Sequence, residues 1–319
     1  MKKRYFGLPL PYYLAIFSFS LVLILFGSFF DYRLSKALVD QKDAIGLFVE
    51  TMGQVFGFAT IPFGAVLVFK SMNKKEGIGF KILGWALFLI ALIMSVYNLG
   101  DAMCIKEGSG YYGYRFTPVV AYLISVLLNA VLFVTAFLVL KNEYSKEMFF
   151  LGLIFLLGEL LQWLILKLFK HIACRPRYRF LLSEEGIANH VVFRSWWEFQ
   201  PFKYSGDNYY SWPSGHSASI AQVLMFPAIL PFLKYHFKNE KVTFYSIAIV
   251  LALLVPYFRI RVGAHYLSDV GFGLLFGSLI DFALLALFSI KPKKKEEKEE
   301  KNKAKNANIF SKKEGRKQA

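Results

Sequence analysis

Three short stretches of this chain combine histidine with aspartate, serine or clustered cations, a set of side chains suited to chemistry on a phosphate group. In one of them, His265 precedes Asp269 by four residues. On a helix, this spacing places both side chains on one face. The carboxylate can then accept a hydrogen bond from one imidazole nitrogen, which leaves the lone pair of the other nitrogen available for attack. This stretch therefore predicts a histidine nucleophile oriented by a carboxylate.

The second stretch is Trp-Pro-Ser-Gly-His at residues 212–216. Its Pro and Ser predict the start of a helix, where the first backbone N–H groups have no helical partners and attract anions. Gly215 lets a ligand approach the backbone closely, Ser214 offers a hydroxyl, and His216 lies in the first turn. Phosphate suits this geometry.

The third stretch, residues 167–179, is rich in cations for a segment beside a membrane helix. Its cations are Lys167, Lys170, Arg175, Arg177 and Arg179. Arg259, six residues before His265, adds another. All three stretches fall at helix ends on the same predicted side of the membrane, so we expect them to meet in one cationic pocket.

The elements that position these residues are predicted to be membrane helices. The chain is 56% hydrophobic and has a mean hydropathy of +0.43, whereas soluble domains are about 45–50% apolar. Apolar runs long enough to span a bilayer lie at 10–30, 53–70, 80–100, 117–140, 148–168, 214–233, 242–258 and 266–289. The sequence therefore predicts an all-α polytopic membrane helix bundle.

Charge sets the predicted orientation. The net charge of +16 comes partly from residues 291–319, which hold 12 Lys or Arg and 5 Glu and are predicted to be a disordered cytoplasmic tail. This accounts for much of the imbalance and argues against nucleic-acid binding. Lysines near the span ends gather on one side at 70–81, 141–146 and 234–241. By the positive-inside rule, both termini are expected in the cytoplasm and the three stretches at the extracytoplasmic face of the cell membrane.

These stretches resemble the three motifs of the type-2 phosphatidic acid phosphatase superfamily, which includes bacterial acid phosphatases and vanadium haloperoxidases. Residues 213–216 match its Pro-Ser-Gly-His motif, and Arg259, His265 and Asp269 match the spacing of its third motif, with Phe258 in place of Ser. The first motif, Lys-x6-Arg-Pro, fits in two registers. The preferred register uses Lys170 and Arg177, with Tyr178 instead of Pro; the alternative uses Lys167 and Arg175-Pro176, with seven intervening residues.

The resemblance implies an integral membrane phosphatase acting on a lipid phosphomonoester or diphosphate, such as phosphatidate, phosphatidylglycerophosphate or a polyprenyl diphosphate like undecaprenyl diphosphate. His265 would form a phosphohistidine, Asp269 would orient it, and His216 would protonate the departing lipid oxygen. The implied phosphate ligands are Lys170, Arg177, Ser214, Gly215 and Arg259. No metal or other cofactor is implied.

The resemblance also implies a six-helix phosphatase core at residues 80–290, preceded by membrane helices within residues 1–79. Membrane lipids are the expected surroundings, and the sequence leaves the oligomeric state open. Glu159, Gln162 and Asp281 lie inside predicted spans and are expected to make interhelical hydrogen bonds. Asp281 could instead line a path for protons or for the lipid headgroup. Gly273 and Gly277 are expected to allow close helix packing.

Two other functions fit the same sequence. The chain could be a phosphotransferase that passes the phosphoryl group to another lipid or a sugar instead of water. It could also be a lipid-binding or transport protein without catalysis. This hypothesis is motivated by Phe258 at the position of the motif serine and by the irregular first motif.

Overall fold

The computed structural model describes residues 10–104, 116–143 and 145–289. Apart from two isolated β-bridges, every element of secondary structure in these residues is a helix. The α-helices there are α1 (Leu10–Leu38), α2 (Ala44–Met52), α3 (Val55–Phe58), α4 (Thr60–Lys74), α5 (Ile78–Met103), α6 (Pro118–Val139), α7 (Lys146–Ala173), α8 (Tyr178–Leu181), α9 (Glu184–Ala188), α10 (Gly215–Ala221), α11 (Glu240–Arg261) and α12 (Leu267–Ser289). Two 3₁₀ segments cover Asp207–Tyr209 and Gln222–Phe232. The predicted disordered tail at 291–319 lies outside the described residues.

Eight helical segments in the described part of the chain are long and apolar enough to cross a membrane. Six of them are centred on α1, α5, α6, α7, α11 and α12. The other two are composite: Ala44–Lys74 consists of α2, α3 and α4, and Gly215–Phe232 consists of α10 and the 3₁₀ segment after it. The predicted polytopic all-α bundle is thus confirmed.

The composite segments lie at the centre of the bundle. Their most apolar windows are 72% and 78% buried, compared with 22% for those of α5 and α6. Irregular backbone is tolerated at membrane depth only where protein or a cavity surrounds it. The peripheral helices instead expose large aliphatic side chains, such as Leu89, Ile93 and Leu127, toward the place where lipid would lie.

Close packing of α12 against α10 fixes the helix that carries His216. A Cβ atom on Gly273 or Gly277 would come closer than 3.0 Å to the backbone carbonyl oxygen of Ser214 or Ala218. The expected role of these two glycines in helix packing is therefore confirmed.

The first helix also belongs to this packing. A Cβ atom on Gly27 would come closer than 3.0 Å to the backbone of Ser268, at the start of α12. One turn further along α1, the carboxylate of Asp31 accepts a hydrogen bond from the Ser268 N–H at 2.9 Å and pairs with Arg175 at 2.8 Å. Helix α1 thus contacts the helices that the sequence assigned to the phosphatase core, and the division at residue 80 stays a prediction.

Polar side chains tie the central helices together deep in the bundle. Thr60 donates to the side-chain oxygen of Gln222 at 2.9 Å, and the side-chain amides of Gln222 and Gln162 lie 3.0 Å apart. Glu159 lies 3.5 Å from the Thr60 hydroxyl. The expected interhelical hydrogen bond of Asp281 is absent, because both of its carboxyl oxygens are buried without a hydrogen-bond partner in the described residues.

Candidate active site

The ends of α5, α7, α10 and α11 surround a cavity of about 400 Å³ together with the loops at 207–210 and 262–266. Of the residues singled out from the sequence, its walls contain Lys167, Lys170, Arg177, Gly215, His216, Arg259 and His265. The cavity wall on α7 runs from His171 to Glu159, twelve residues apart. At 1.5 Å per residue, the wall extends about 18 Å along this helix.

A tight turn after α11 delivers His265 to the cavity. Gly263 has φ +69°, a conformation that L side chains rarely adopt, and a Cβ atom there would also crowd Arg179. The His265 imidazole is buried, and its Nδ1 lies 2.6 Å from the backbone oxygen of Ser211. Because a carbonyl oxygen only accepts, Nδ1 carries the proton and Nε2 keeps its lone pair. This Nε2 lies 3.4 Å from Nη1 of Arg177, on the cavity side.

The surroundings of His265 favour its neutral form. Burial lowers its pKa well below the usual value for histidine, and the positive charges of Arg177, Arg259 and Lys170 lower that pKa further. The imidazole therefore stays unprotonated at neutral pH, as attack on phosphorus through Nε2 requires.

Asp269 acts on His265 through an intermediary, which corrects the expected direct hydrogen bond. Its Oδ2 lies 3.9 Å from Nδ1 of His265, beyond hydrogen-bond distance. The carboxylate instead accepts from the Ser211 hydroxyl and, at 2.8 Å, from the Tyr266 N–H. The reason for the difference is local: α12 begins at Leu267, so His265 precedes the helix and does not share a helical face with Asp269.

His216, the second residue of α10, is held by a residue from the N-terminal part of the chain. Its Nε2 lies 2.8 Å from the backbone oxygen of Glu50 and must donate to it. Nδ1 of His216 is then the nitrogen left for proton transfer. Because the imidazole lines the cavity with Gly215, both residues of this motif lie where a ligand could reach them.

Gly215 lines the cavity, whereas Ser214 lies behind its wall. The Ser214 hydroxyl caps α10 by accepting from the Ser217 N–H at 3.3 Å and from the Ser217 hydroxyl at 3.0 Å. Ser214 is fully buried and does not line the cavity, so its expected contact with phosphate stays a prediction. A methyl group on Gly215 would lie 3.6 Å from the Lys170 ammonium, so the missing side chain leaves room beside that cation.

The two registers of the first motif occupy different depths. Arg177 reaches the cavity with a fixed guanidinium, whose Nη2 and Nη1 donate at 2.8 Å to the Asp207 carboxylate and the Ala264 carbonyl. Arg175 lies behind the cavity wall, paired with both Asp31 and Asp269. Since the preferred pair lines the cavity together, whereas Lys167 and Arg175 are separated, the geometry favours the register with Lys170 and Arg177.

Arg259, the cation of the third motif, and Arg179 both contact the buried carboxylate of Glu50. Glu50 Oε1 lies 2.8 Å from Nη1 of Arg259 and 2.8 Å from Nη1 of Arg179. Neither Glu50 nor Asp31, which holds Arg175 from behind, was recognised in the sequence. A signal was present, because carboxylates within or beside apolar runs are functional candidates by default.

No group of three or more His, Cys, Asp or Glu side chains is placed to hold a metal ion in residues 10–104, 116–143 and 145–289. The cavity instead concentrates guanidinium and ammonium groups around an unprotonated imidazole. Such an arrangement can bind a phosphate and stabilise the charge that develops on its oxygens during transfer.

A family model described as the PAP2 superfamily matches residues 147–293. Searches of curated proteins and of solved structures gave no significant match. The matched residues run from α7 through α12 and contain all three motif stretches. The segment 147–293, which is 147 of the 319 residues, is thus similar to the PAP2 superfamily.

Proposed function

We propose that this protein is a multi-pass membrane phosphatase that hydrolyses a lipid phosphate at the extracytoplasmic face through a phosphohistidine at His265. One observation carries the proposal: the Nδ1 proton of His265 is bound by the Ser211 carbonyl, so its Nε2 lone pair faces a cavity lined by cations. A neutral, oriented imidazole beside guanidinium groups is what nucleophilic attack on a phosphate ester needs.

In the proposed reaction, Nε2 of His265 attacks phosphorus and the bond from phosphorus to the lipid oxygen breaks. Lys170, Arg177 and Arg259 bind the equatorial phosphate oxygens, where negative charge gathers in the transition state. With the negative charge of the bound phosphate beside it, His216 carries a second proton at Nδ1 and gives that proton to the departing oxygen. The neutral His216 then takes a proton from the water that cleaves the phosphohistidine, which releases inorganic phosphate and restores both histidines.

The dimensions of the cavity support a lipid substrate. Beyond Lys167, the cavity wall continues for about 12 Å along α7 to Glu159, past the apolar side chains of Trp163, Leu166 and Phe58. A phosphate among the cations would leave the first part of a lipid tail beside these residues. Because the substrate would thus remain partly in the bilayer, a lipid phosphate fits better than a soluble phosphate ester.

The distribution of lysines supports the proposed orientation. The cavity is lined by the C-terminal ends of α5, α7 and α11 and by the N-terminal end of α10. Lys74, Lys146 and Lys241 lie at the opposite ends of α4, α7 and α11. Since lysines collect on the cytoplasmic side, the cavity is expected to face away from the cytoplasm.

The test is release of inorganic phosphate from lipid phosphates by the purified protein in detergent with a chelator. The panel contains phosphatidate, phosphatidylglycerophosphate and a polyprenyl diphosphate. We expect the wild type to hydrolyse at least one of them and His265→Ala to lose that activity, because the nucleophile is missing. A chelator should have no effect.

A labelled donor with candidate lipid and sugar acceptors separates hydrolysis from transfer. Label in a new ester instead of free phosphate would favour the phosphotransferase. A folded wild type that processes no lipid phosphate, with or without acceptors, would contradict the proposal and favour a lipid-binding protein.

A further inference from the structure

A carboxylate from outside the family-matched segment lies directly behind the candidate phosphate site. Glu50 belongs to α2, almost a hundred residues before the match begins at residue 147. It is completely buried, and its Oε1 lies 2.8 Å from a terminal guanidinium nitrogen of both Arg179 and Arg259. A buried carboxylate placed between two guanidiniums restricts the orientation of both.

The same residue also holds His216. The Glu50 backbone oxygen accepts a hydrogen bond from Nε2 of His216 at 2.8 Å. One residue thus contacts the candidate general acid through its backbone and a candidate phosphate ligand, Arg259, through its side chain. Any displacement of Glu50 would move both groups together.

Helix α2 is well fixed for such a role. Its N-terminus is capped by Asp43, whose side chain accepts from the Gly46 N–H at 2.6 Å. Gly46 lies against Val262, and Leu47 packs in a small buried cluster with Val262 and Ala264. Helix α2 is therefore docked on the turn that carries His265.

Several charged or titratable groups face Glu50 from the elements around it. They are Arg179 on α8, Arg259 on α11 and His216 on α10. Arg177 is also close enough to interact electrostatically with the Glu50 carboxylate. A phosphate in the cavity would compete with the Glu50 carboxylate for Arg259. The negative charge therefore lowers the affinity for phosphate while it keeps the guanidinium aligned.

We propose that Glu50 is a positioning residue of this active site, which aligns Arg259 and His216 for turnover and weakens the binding of the phosphate product. This inference rests on the proposed function and extends the site beyond the family-matched residues. It makes part of α2, in the N-terminal half of the chain, necessary for efficient catalysis.

The test compares Glu50→Gln, Glu50→Asp and the wild type in two measurements on purified full-length protein in detergent. The first is kcat with the lipid phosphate that the wild type hydrolyses. The second is Kd for inorganic phosphate, obtained from phosphate-dependent thermal stabilisation, which does not require turnover.

For Glu50→Gln, we expect kcat to fall about 10- to 100-fold, because the guanidinium of Arg259 is no longer fixed by charge. We expect phosphate to bind roughly tenfold more tightly, because a negative charge beside the anion is removed. A purely structural role would not produce tighter binding. Glu50→Asp keeps the charge but is one methylene shorter, so kcat should fall while phosphate affinity stays near the wild-type value.

Asp43→Asn is the matched control, since it removes the carboxylate that caps the same helix, and asparagine also caps helices well. It should leave kcat and phosphate affinity unchanged. A folded Glu50→Gln with wild-type kcat and phosphate affinity would overturn the proposal. If that variant does not fold, a folded Glu50→Asp with wild-type kcat would overturn it as well.

Failure of the proposed function has a different signature. If the wild type binds phosphate but hydrolyses no lipid phosphate, phosphatase activity fails while the change in phosphate affinity of Glu50→Gln still tests this residue. Absence of phosphate binding by the folded wild type would overturn both.

Discussion

The family-matched segment and the helices before it contribute different kinds of groups to the candidate active site. Residues 147–293 supply both histidines and the cations of the preferred register. Helices α1 and α2 supply two buried carboxylates, Asp31 and Glu50, which pair with arginines of that segment. The candidate reacting groups are thus encoded in a contiguous region, whereas two of the carboxylates that orient its arginines come from helices outside that region.

The carboxylates are placed behind the reacting groups. Asp31 contacts Arg175, Arg175 contacts Asp269, and Asp269 contacts Ser211, whose carbonyl fixes the tautomer of His265. This chain of contacts makes α1 part of the support of His265, the proposed nucleophile. Changes in the N-terminal helices should therefore affect stability and alignment, whereas changes on the cavity wall should affect chemistry in a protein that remains folded.

The largest effect on stability is expected for Asp31→Ala. This change leaves Nη2 of Arg175 and the N–H of Ser268 without their buried acceptor, although Arg175 keeps its contact with Asp269. Removal of one partner from a buried ion pair typically destabilises a protein by about 3–5 kcal/mol. We expect a clear decrease in Tm in detergent, and lower activity in the fraction that remains folded.

Asp40→Ala provides the comparison for Asp31, because Asp40 makes a half-exposed ion pair with Arg261 just beyond the end of α1. Exposed pairs contribute only about 0–1 kcal/mol. If Asp31→Ala and Asp40→Ala had equal Tm values close to that of the wild type, α1 would not support the site in the way described.

A cavity-wall change should have the opposite pattern. Arg177→Ala removes a guanidinium 3.4 Å from Nε2 of His265, and we expect kcat for lipid phosphate to fall about 10²- to 10³-fold, as when a transition-state donor is lost elsewhere. Lys167→Ala should change kcat by only a few fold, because the Lys167 ammonium lies 4.7 Å from the Trp163 ring, further along the wall. Equal decreases in kcat for the two variants would favour the alternative register of the first motif, with Lys167 and Arg175.

The sequence was sufficient for the helices and for the histidines and cations that face the cavity. An apolar run long enough to cross a bilayer can satisfy its backbone hydrogen bonds there as a helix, so the length of each run predicts a membrane helix. All eight predicted spans have counterparts in the structure. His216, His265, Arg259 and Lys170 could be found because local motifs place them at helix ends. In these cases the information lies within a few consecutive residues.

The support of the site could not be predicted in the same way. The distance between Glu50 and Arg259 depends on how α2 docks on α11, and no local pattern specifies that docking. The prediction of a hydrogen bond from His265 to Asp269 was wrong, because helical spacing was applied to a residue that precedes the helix. Long-range contacts and helix boundaries within one residue are the two features that sequence periodicity defines least well.

The smallest effect is a shift in pH dependence, and it distinguishes the two lysines of the cavity wall. His265 must be neutral to attack, and burial together with Arg177, Arg259 and Lys170 lowers its pKa. The acid limb of kcat/KM should therefore lie below the usual histidine pKa of about 6.5. Lys170→Gln removes one positive charge, so the pKa of His265 should rise and the acid limb should move to higher pH.

Lys167→Gln is the control for this shift, because Lys167 is not among the charges that lower the pKa of His265. Its acid limb should coincide with that of the wild type. The pH dependence of kcat/KM for the three proteins, measured with one lipid phosphate at constant ionic strength, checks both expectations. An acid limb that stays in place in Lys170→Gln, or moves to lower pH, would contradict the electrostatic role of Lys170, because loss of a nearby positive charge can only favour protonation of the imidazole.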